Sequence, residues 1–106
     1  MSVIVTLRLQ GDGAKLEAYA SANADMFDGV IKKAANHGLI AHRFYTDNSG
    51  GIMVLDEWPD AESFQAFFAE SQAEIMPMMQ AADAQGAPEV SFWNELETPD
   101  RYGWGA

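Results

Sequence analysis

The chain is 106 residues long, 48% apolar, with sixteen acidic residues against six basic ones and no cysteine. That is the size and composition of a single folded domain with one core. It leaves no disulfide, thiolate metal site or cysteine nucleophile. A formal charge of −10 repels nucleic acid and anionic lipid, whose recognition draws on clustered Lys and Arg, and Arg8, Lys15, Lys32, Lys33, Arg43 and Arg101 form no patch in sequence. No apolar run approaches the ~18 residues of a membrane span. The opening MSVIVTLRLQ lacks the basic region and apolar stretch of a signal peptide, so a cytoplasmic protein is expected.

SVIVTLRLQ sets Val3, Val5, Leu7 and Leu9 against Ile4, Thr6, Arg8 and Gln10. Period-two alternation with β-branched residues reads as a strand with one side buried. GDG stops it, and Asp12 is placed to cap a helix. In that helix Leu16, Tyr19, Ala20, Asn23, Phe27, Val30, Ile31 and Ala34 recur at spacings of three and four, up to a stop at Gly38. Two strands follow, about 39–46 and 51–58, around the turn TDNSGG. Asp60 caps a second helix carrying Phe64, Phe67 and Phe68, and Pro77 is expected to break it before a short piece PMMQAADAQ. EVSFWNEL, residues 89–96, is the last strand, and 97–106 form a polar tail with Tyr102 and Trp104.

The order strand, helix, strand, strand, helix, strand is the split βαβ arrangement of an α+β, ferredoxin-like domain with a four-stranded antiparallel sheet, spanning 1–106. Two helices cover one face of such a sheet. The other face carries Ile4, Thr6, Trp93 and hairpin residues, too apolar to leave wet, which predicts a homodimer packed sheet to sheet.

At VLDEWPDAESFQAFF a strand ending in Trp, an acidic cap and a Phe-rich helix resemble the antibiotic biosynthesis monooxygenase-like (ABM) proteins of the dimeric α/β-barrel superfamily. The resemblance covers the element order from 2 to 97, with Gly38-Leu39 and Trp58 as its sharpest local matches. It implies a pocket for an aromatic or polycyclic small molecule and a cofactor-free monooxygenase chemistry, with binding alone or a dimeric scaffold as alternatives. By position Trp58 matches the pocket tryptophan and Tyr45 a polar pocket residue. The Asn expected four residues before the Trp is Val54, and the Tyr expected six after it is Phe64. The haem-degrading branch is matched poorly: the first strand offers Thr6 or Arg8 where that branch has Asn, and Met76, Pro77 and Met78 stand where it has His.

If Asn48 and Ser49 form a two-residue tip, Ala41 faces Asp56 and Arg43 faces Val54. Tyr45, Arg43, Asp56 and Trp58 then share the pocket side, while His42 and Phe44 turn to the dimer side. A one-residue slip moves His42 to Asp56. The match of Tyr45 and Trp58 to one pocket favours the first register. Tyr45, Asp56 and His42 are the candidate proton acceptors, and Trp58, Arg43, Asn23, Val54 and Phe64 the candidate substrate contacts. Each has a plainer alternative: an Arg43–Asp56 ion pair, a core Trp58, an interface His42, a hydrogen-bonded Asn23. His37 suits the dipole at a helix C-terminus, Glu70 and Glu74 read as solvated surface, and Met76, Met78 and Met79 as adaptable packing or a lid. Neither histidine has a companion at metal-ligand spacing, so no metal is expected, and no cofactor.

Overall fold

In a computed structural model, which describes residues 1–103, the chain runs β1 (Val3–Gln10), α1 (Gly13–Ala22), α2 (Ala24–Asn36), β2 (Ala41–Thr46), β3 (Gly51–Trp58), α3 (Ala61–Glu70), α4 (Gln72–Ala81) and β4 (Gln85–Trp93). Trp104 of the expected tail lies outside the described residues. The strands make one antiparallel sheet in the order β2-β3-β1-β4, the ferredoxin-like topology that the element order predicts. Val5 and Leu7 of β1 are buried with Ile52 and Trp58 of β3 against Leu16, Val30, Ala34, Phe64, Phe67 and Met78 of the helices. The opposite sheet face carries Ile4, Thr6, Arg8, Met53, Leu55, Tyr45 and Trp93; there Trp93 Nε1 donates to Thr6 Oγ1 at 2.8 Å. Among the described residues no helix is long and apolar enough to cross a membrane.

The hairpin register departs from the expected one. His42 pairs with Asp56, Arg43 with Leu55, Phe44 with Val54 and Tyr45 with Met53. The cause is the turn, whose tip has three residues rather than two: Asp47 N–H bonds Gly51 O at 3.2 Å across Asn48, Ser49 and Gly50. Asn48 (φ 63°) and Gly50 (φ 89°) take the left-handed conformation that absorbs the extra residue. The Asp47 carboxylate accepts from the N–H groups of Ser49 and Gly51, which hold it below the ordinary carboxylate range. A side chain at Gly51 would collide with that carboxylate. One residue added to the tip sends every β2 side chain to the other face.

Both helical segments are broken where the periodicity alone gives no warning. The expected first helix is two, jointed at Asn23 (φ −130°, ψ 40°), whose Nδ2 donates to Tyr19 O at 2.9 Å. Asn satisfies its amide on local backbone and so competes with the helix. Gly38 (φ 97°) ends α2 as expected: Leu39 N–H bonds Ala34 O and Gly38 N–H bonds Ala35 O, a Schellman pair. In the second segment the break falls at Ser71, and α4 runs unbroken through Pro77. Restarting at Gln72 leaves Pro77 inside the second turn, at the cost of the bond to the Ala73 carbonyl. Asp60 caps α3 as predicted, and the hydroxyl and N–H of Ser63 hold its carboxyl low. Glu74 and Glu70, expected to be solvated, take partners from α2: Lys33 Nζ at 2.8 Å and His37 Nε2 at 2.8 Å. β4 starts earlier than predicted and ends at Trp93, leaving Leu96 outside the sheet and exposed.

Candidate functional site

Between sheet and helices lies an apolar cavity of about 100 Å3. Its floor is β1 and β3, its roof α2, α3 and α4, and its edge is β2. Alternation puts Val54, Asp56 and Trp58 on its floor together, because residues two apart on β3 share a face. The register brings His42 and Phe44 of β2 onto the same face, directly opposite Asp56 and Val54. Ile31 and Phe44, lining residues that remain exposed, place the mouth beside the edge strand.

Asp56 is the anomaly of this face. It is 5% exposed and, with His42 and the Trp58 indole, one of the polar side chains in an otherwise apolar lining, and a carboxylate there must be hydrogen-bonded to be tolerated. It is bonded through both oxygens. Oδ1 lies 2.7 Å from Nδ1 of His42, and Oδ2 accepts from the indole N–H of Trp58 at 3.1 Å. Trp58 is fully buried and wedged between Phe64 (centroids 5.9 Å) and Phe67 (5.4 Å), so its N–H is a fixed donor. An ionised carboxylate only accepts. With Asp56 ionised and His42 neutral, the proton of their bond sits on Nδ1 and Nε2 is left as an acceptor. The imidazole is also held edge-on by Phe44, 5.0 Å away at 86°. Together these make a hydrogen-bonded chain, Trp58 to Asp56 to His42, that ends in an imidazole on the cavity lining, its side chain 26% exposed.

Of the residues named from sequence, the fold brings together His42, Asp56, Trp58, Val54 and Phe64, which all line the cavity. Tyr45 and Arg43 do not join them. The slipped register puts both on the opposite sheet face, where Tyr45 is 49% exposed. The expected pairing of Arg43 with Asp56 is thereby corrected: Arg43 Nη1 donates to the His42 carbonyl at 2.7 Å. His42, expected on the dimer side, takes its place beside Asp56. Asn23 sits at the α1–α2 joint and is not among the lining residues. The methionines divide: Met78 and Met79 line the cavity while Met76 is exposed. Phe44 was missed with the register. Ile75 was missed too, although its i, i+3, i+4 spacing with Met78 and Met79 marks a single helix face. Among the described residues no group of three or more metal-ligating side chains occurs.

No family model matches the sequence, and no curated protein matches it either. Solved structures do. SnoaB, a cofactor-independent oxygenase from Streptomyces nogalater, matches with a TM-score of 0.60 at 17% identity, over 94% of this chain and 98% of that one. A monooxygenase from ActVA-Orf6 of Streptomyces coelicolor, in complex with nanaomycin D, matches at 0.68 and 13% identity, over 95% and 93%. A dimeric ferredoxin-like protein from an uncultured marine organism matches at 0.66 and 13%, over 95% and 93%. An antibiotic biosynthesis monooxygenase structure is also similar. The fold implied by the resemblance in VLDEWPDAESFQAFF is the fold this chain has.

Proposed function

We propose that the protein is a cytoplasmic, cofactor-free oxygenase of a small electron-rich aromatic molecule, bound in the cavity beneath α3 and α4. The observation that carries this reading is the Trp58–Asp56–His42 chain at the polar end of an otherwise apolar chamber. His42 Nε2 takes the phenolic proton, with Asp56 steadying the imidazolium and Trp58 steadying Asp56. The phenolate, stripped of water, is the reductant. One oxygen atom of O2 enters the ring to give a quinone and the other leaves as water, with all four electrons drawn from the substrate. The protein contributes orientation, desolvation and the base. The fold shared with a cofactor-independent oxygenase supports the same reading.

Oxygen uptake with a panel of phenols and hydroquinones tests it. The wild type should consume O2 well above the uncatalysed rate, and His42→Gln, which can still donate to Asp56 but is not basic, should lose about 10²-fold or more. Uptake equal in both proteins would remove His42 from the chemistry, and no uptake with any compound would sink the oxygenase reading. A second reading, binding without turnover, is favoured by one observation: Val54 and Phe64 are apolar where the resemblance places Asn and Tyr, so His42 and Asp56 alone can handle protons. We also propose a homodimer through the outer sheet face, supported by its Ile4, Leu55 and Trp93 and by the dimeric neighbour of the same fold.

A further inference from the structure

We infer that this site selects a single-ring phenol with one hydroxyl group and otherwise small, apolar substituents, rather than a fused polycyclic or a polyhydroxylated compound. The inference rests on the cavity reading above and concerns which molecule the cavity takes. Two independent observations lead to it, one of size and one of polarity.

The volume is about 100 Å3. Pockets for drug-sized ligands begin near ~300 Å3, whereas an engineered apolar cavity of roughly 150 Å3 takes up benzene. One ring is therefore within reach of a small adjustment, and two or three fused rings are not. The adjustment has a defined place. Trp58 of the floor and Phe64, Phe67 and Phe68 of α3 are locked to one another, with Phe64 and Phe68 stacked at 5.3 Å and Phe64 edge-on to Phe92 at 5.9 Å, so α3 and the Trp58 end of the sheet cannot part without breaking several aromatic contacts. Met78 and Met79 are the flexible part of the lining and can yield by a rotamer change.

Polarity fixes the hydroxyl count. His42, Asp56 and the Trp58 indole are the polar groups of the lining. Each Asp56 oxygen already holds one donor, Nδ1 of His42 or the indole N–H, and the carboxylate is 5% exposed, so little of it is open to a ligand. The acceptor that stays open is Nε2 of His42. It satisfies one hydroxyl. A second hydroxyl on the far side of the ring would stand among Phe, Leu and Met with no partner, and that desolvation weakens binding by roughly tenfold or more. An ether or alkyl group there loses nothing, and a methoxy group also keeps the ring electron-rich.

Calorimetric titration of the wild-type protein with four compounds decides the matter. 4-Methoxyphenol should bind at least tenfold more tightly than 1,4-dimethoxybenzene, which lacks the hydroxyl, than hydroquinone, which has two, and than 2-naphthol, which has two rings. Phe64→Leu, which enlarges the chamber, should narrow the gap between 2-naphthol and 4-methoxyphenol. Wild-type binding of 2-naphthol or nanaomycin D as tight as that of 4-methoxyphenol would overturn the size argument, and equal binding of hydroquinone would overturn the polarity argument. No binding of 4-methoxyphenol would overturn both. The outcome separates from the oxygenase reading: selective binding of 4-methoxyphenol without oxygen uptake leaves this inference standing and removes turnover, whereas uptake with 2-naphthol alone does the reverse.

Discussion

Asp56 is where a single atom decides the chemistry. In the wild type its two acceptor oxygens face two donors, His42 Nδ1–H and the Trp58 indole N–H. Asn in its place has one acceptor and one donor group. Indole is donor-only, so the amide oxygen must turn to Trp58 and the NH2 group must face His42. Nδ1 then becomes the acceptor and the ring proton moves to Nε2. Asp56→Asn should therefore invert the His42 tautomer, read directly from imidazole nitrogen shifts by NMR, and abolish base function while the protein stays folded. An unchanged tautomer would mean that Trp58 does not orient the carboxylate. The same logic explains why a buried acid is tolerated in an apolar wall at all: its partners are supplied by its strand neighbour two residues on and by its cross-strand pair.

At the scale of elements, α2 and its C-terminal turn lead from β1 to β2. Two glycines there have opposite reasons to exist. Gly29 is an exposed helical residue, and a Cβ added to it meets nothing within 4 Å. Gly29→Ala should stabilise the protein by about 0.5–1 kcal/mol, through the unfolded chain's lost freedom. Gly38 has φ 97° and a Cβ there would approach Pro59 Cγ to 3.0 Å. Gly38→Ala should destabilise by about 1–2 kcal/mol, more if the Schellman turn opens. Urea unfolding of both variants checks the pair, with midpoints moving in opposite directions at constant m-value. A loss on Gly29→Ala would show that α2 is not helical there in solution.

For the whole molecule, the sheet has one face closed by helices and one face carrying Trp93, 54% exposed, beside Ile4 and Leu55. The net charge of −10 opposes self-association at long range, and Arg8–Glu89 at 2.7 Å neutralises part of that face locally. Light scattering on the purified protein should give twice the chain mass, and Trp93→Asp, which adds charge and removes a large apolar surface, should give the chain mass with the fold unchanged by circular dichroism. A wild type that is monomeric at all concentrations would refute the dimer. Only the inner face is covered by the chain's own helices, and there Asp56 is 5% exposed while the His42 side chain beside it is 26% exposed.

Much of this was legible in the residues. Alternation in SVIVTLRLQ, the three-and-four spacing of the α2 and α3 faces, the Asp12 and Asp60 caps and the Gly38 stop are local, and each is met in the structure within a residue or two. With the element order they determine the sheet, its topology and its inner face, and they put Val54, Asp56 and Trp58 on one wall beneath Phe64. The joints at Asn23 and Ser71 and the run through Pro77 were not legible, since helix breaks answer to where each half must pack. The hairpin register was not legible either. TDNSGG accommodates a two- or a three-residue tip, and the choice rests on the Asp47 carboxylate reaching the Ser49 and Gly51 amides. That choice exchanged Tyr45 and Arg43 for His42 and Phe44 at the cavity. The sequence by itself thus determined the wall and its buried acid; the tertiary structure alone decided that His42 is the side chain opposite it, because side-chain period two turns one residue of turn length into the opposite face of the sheet.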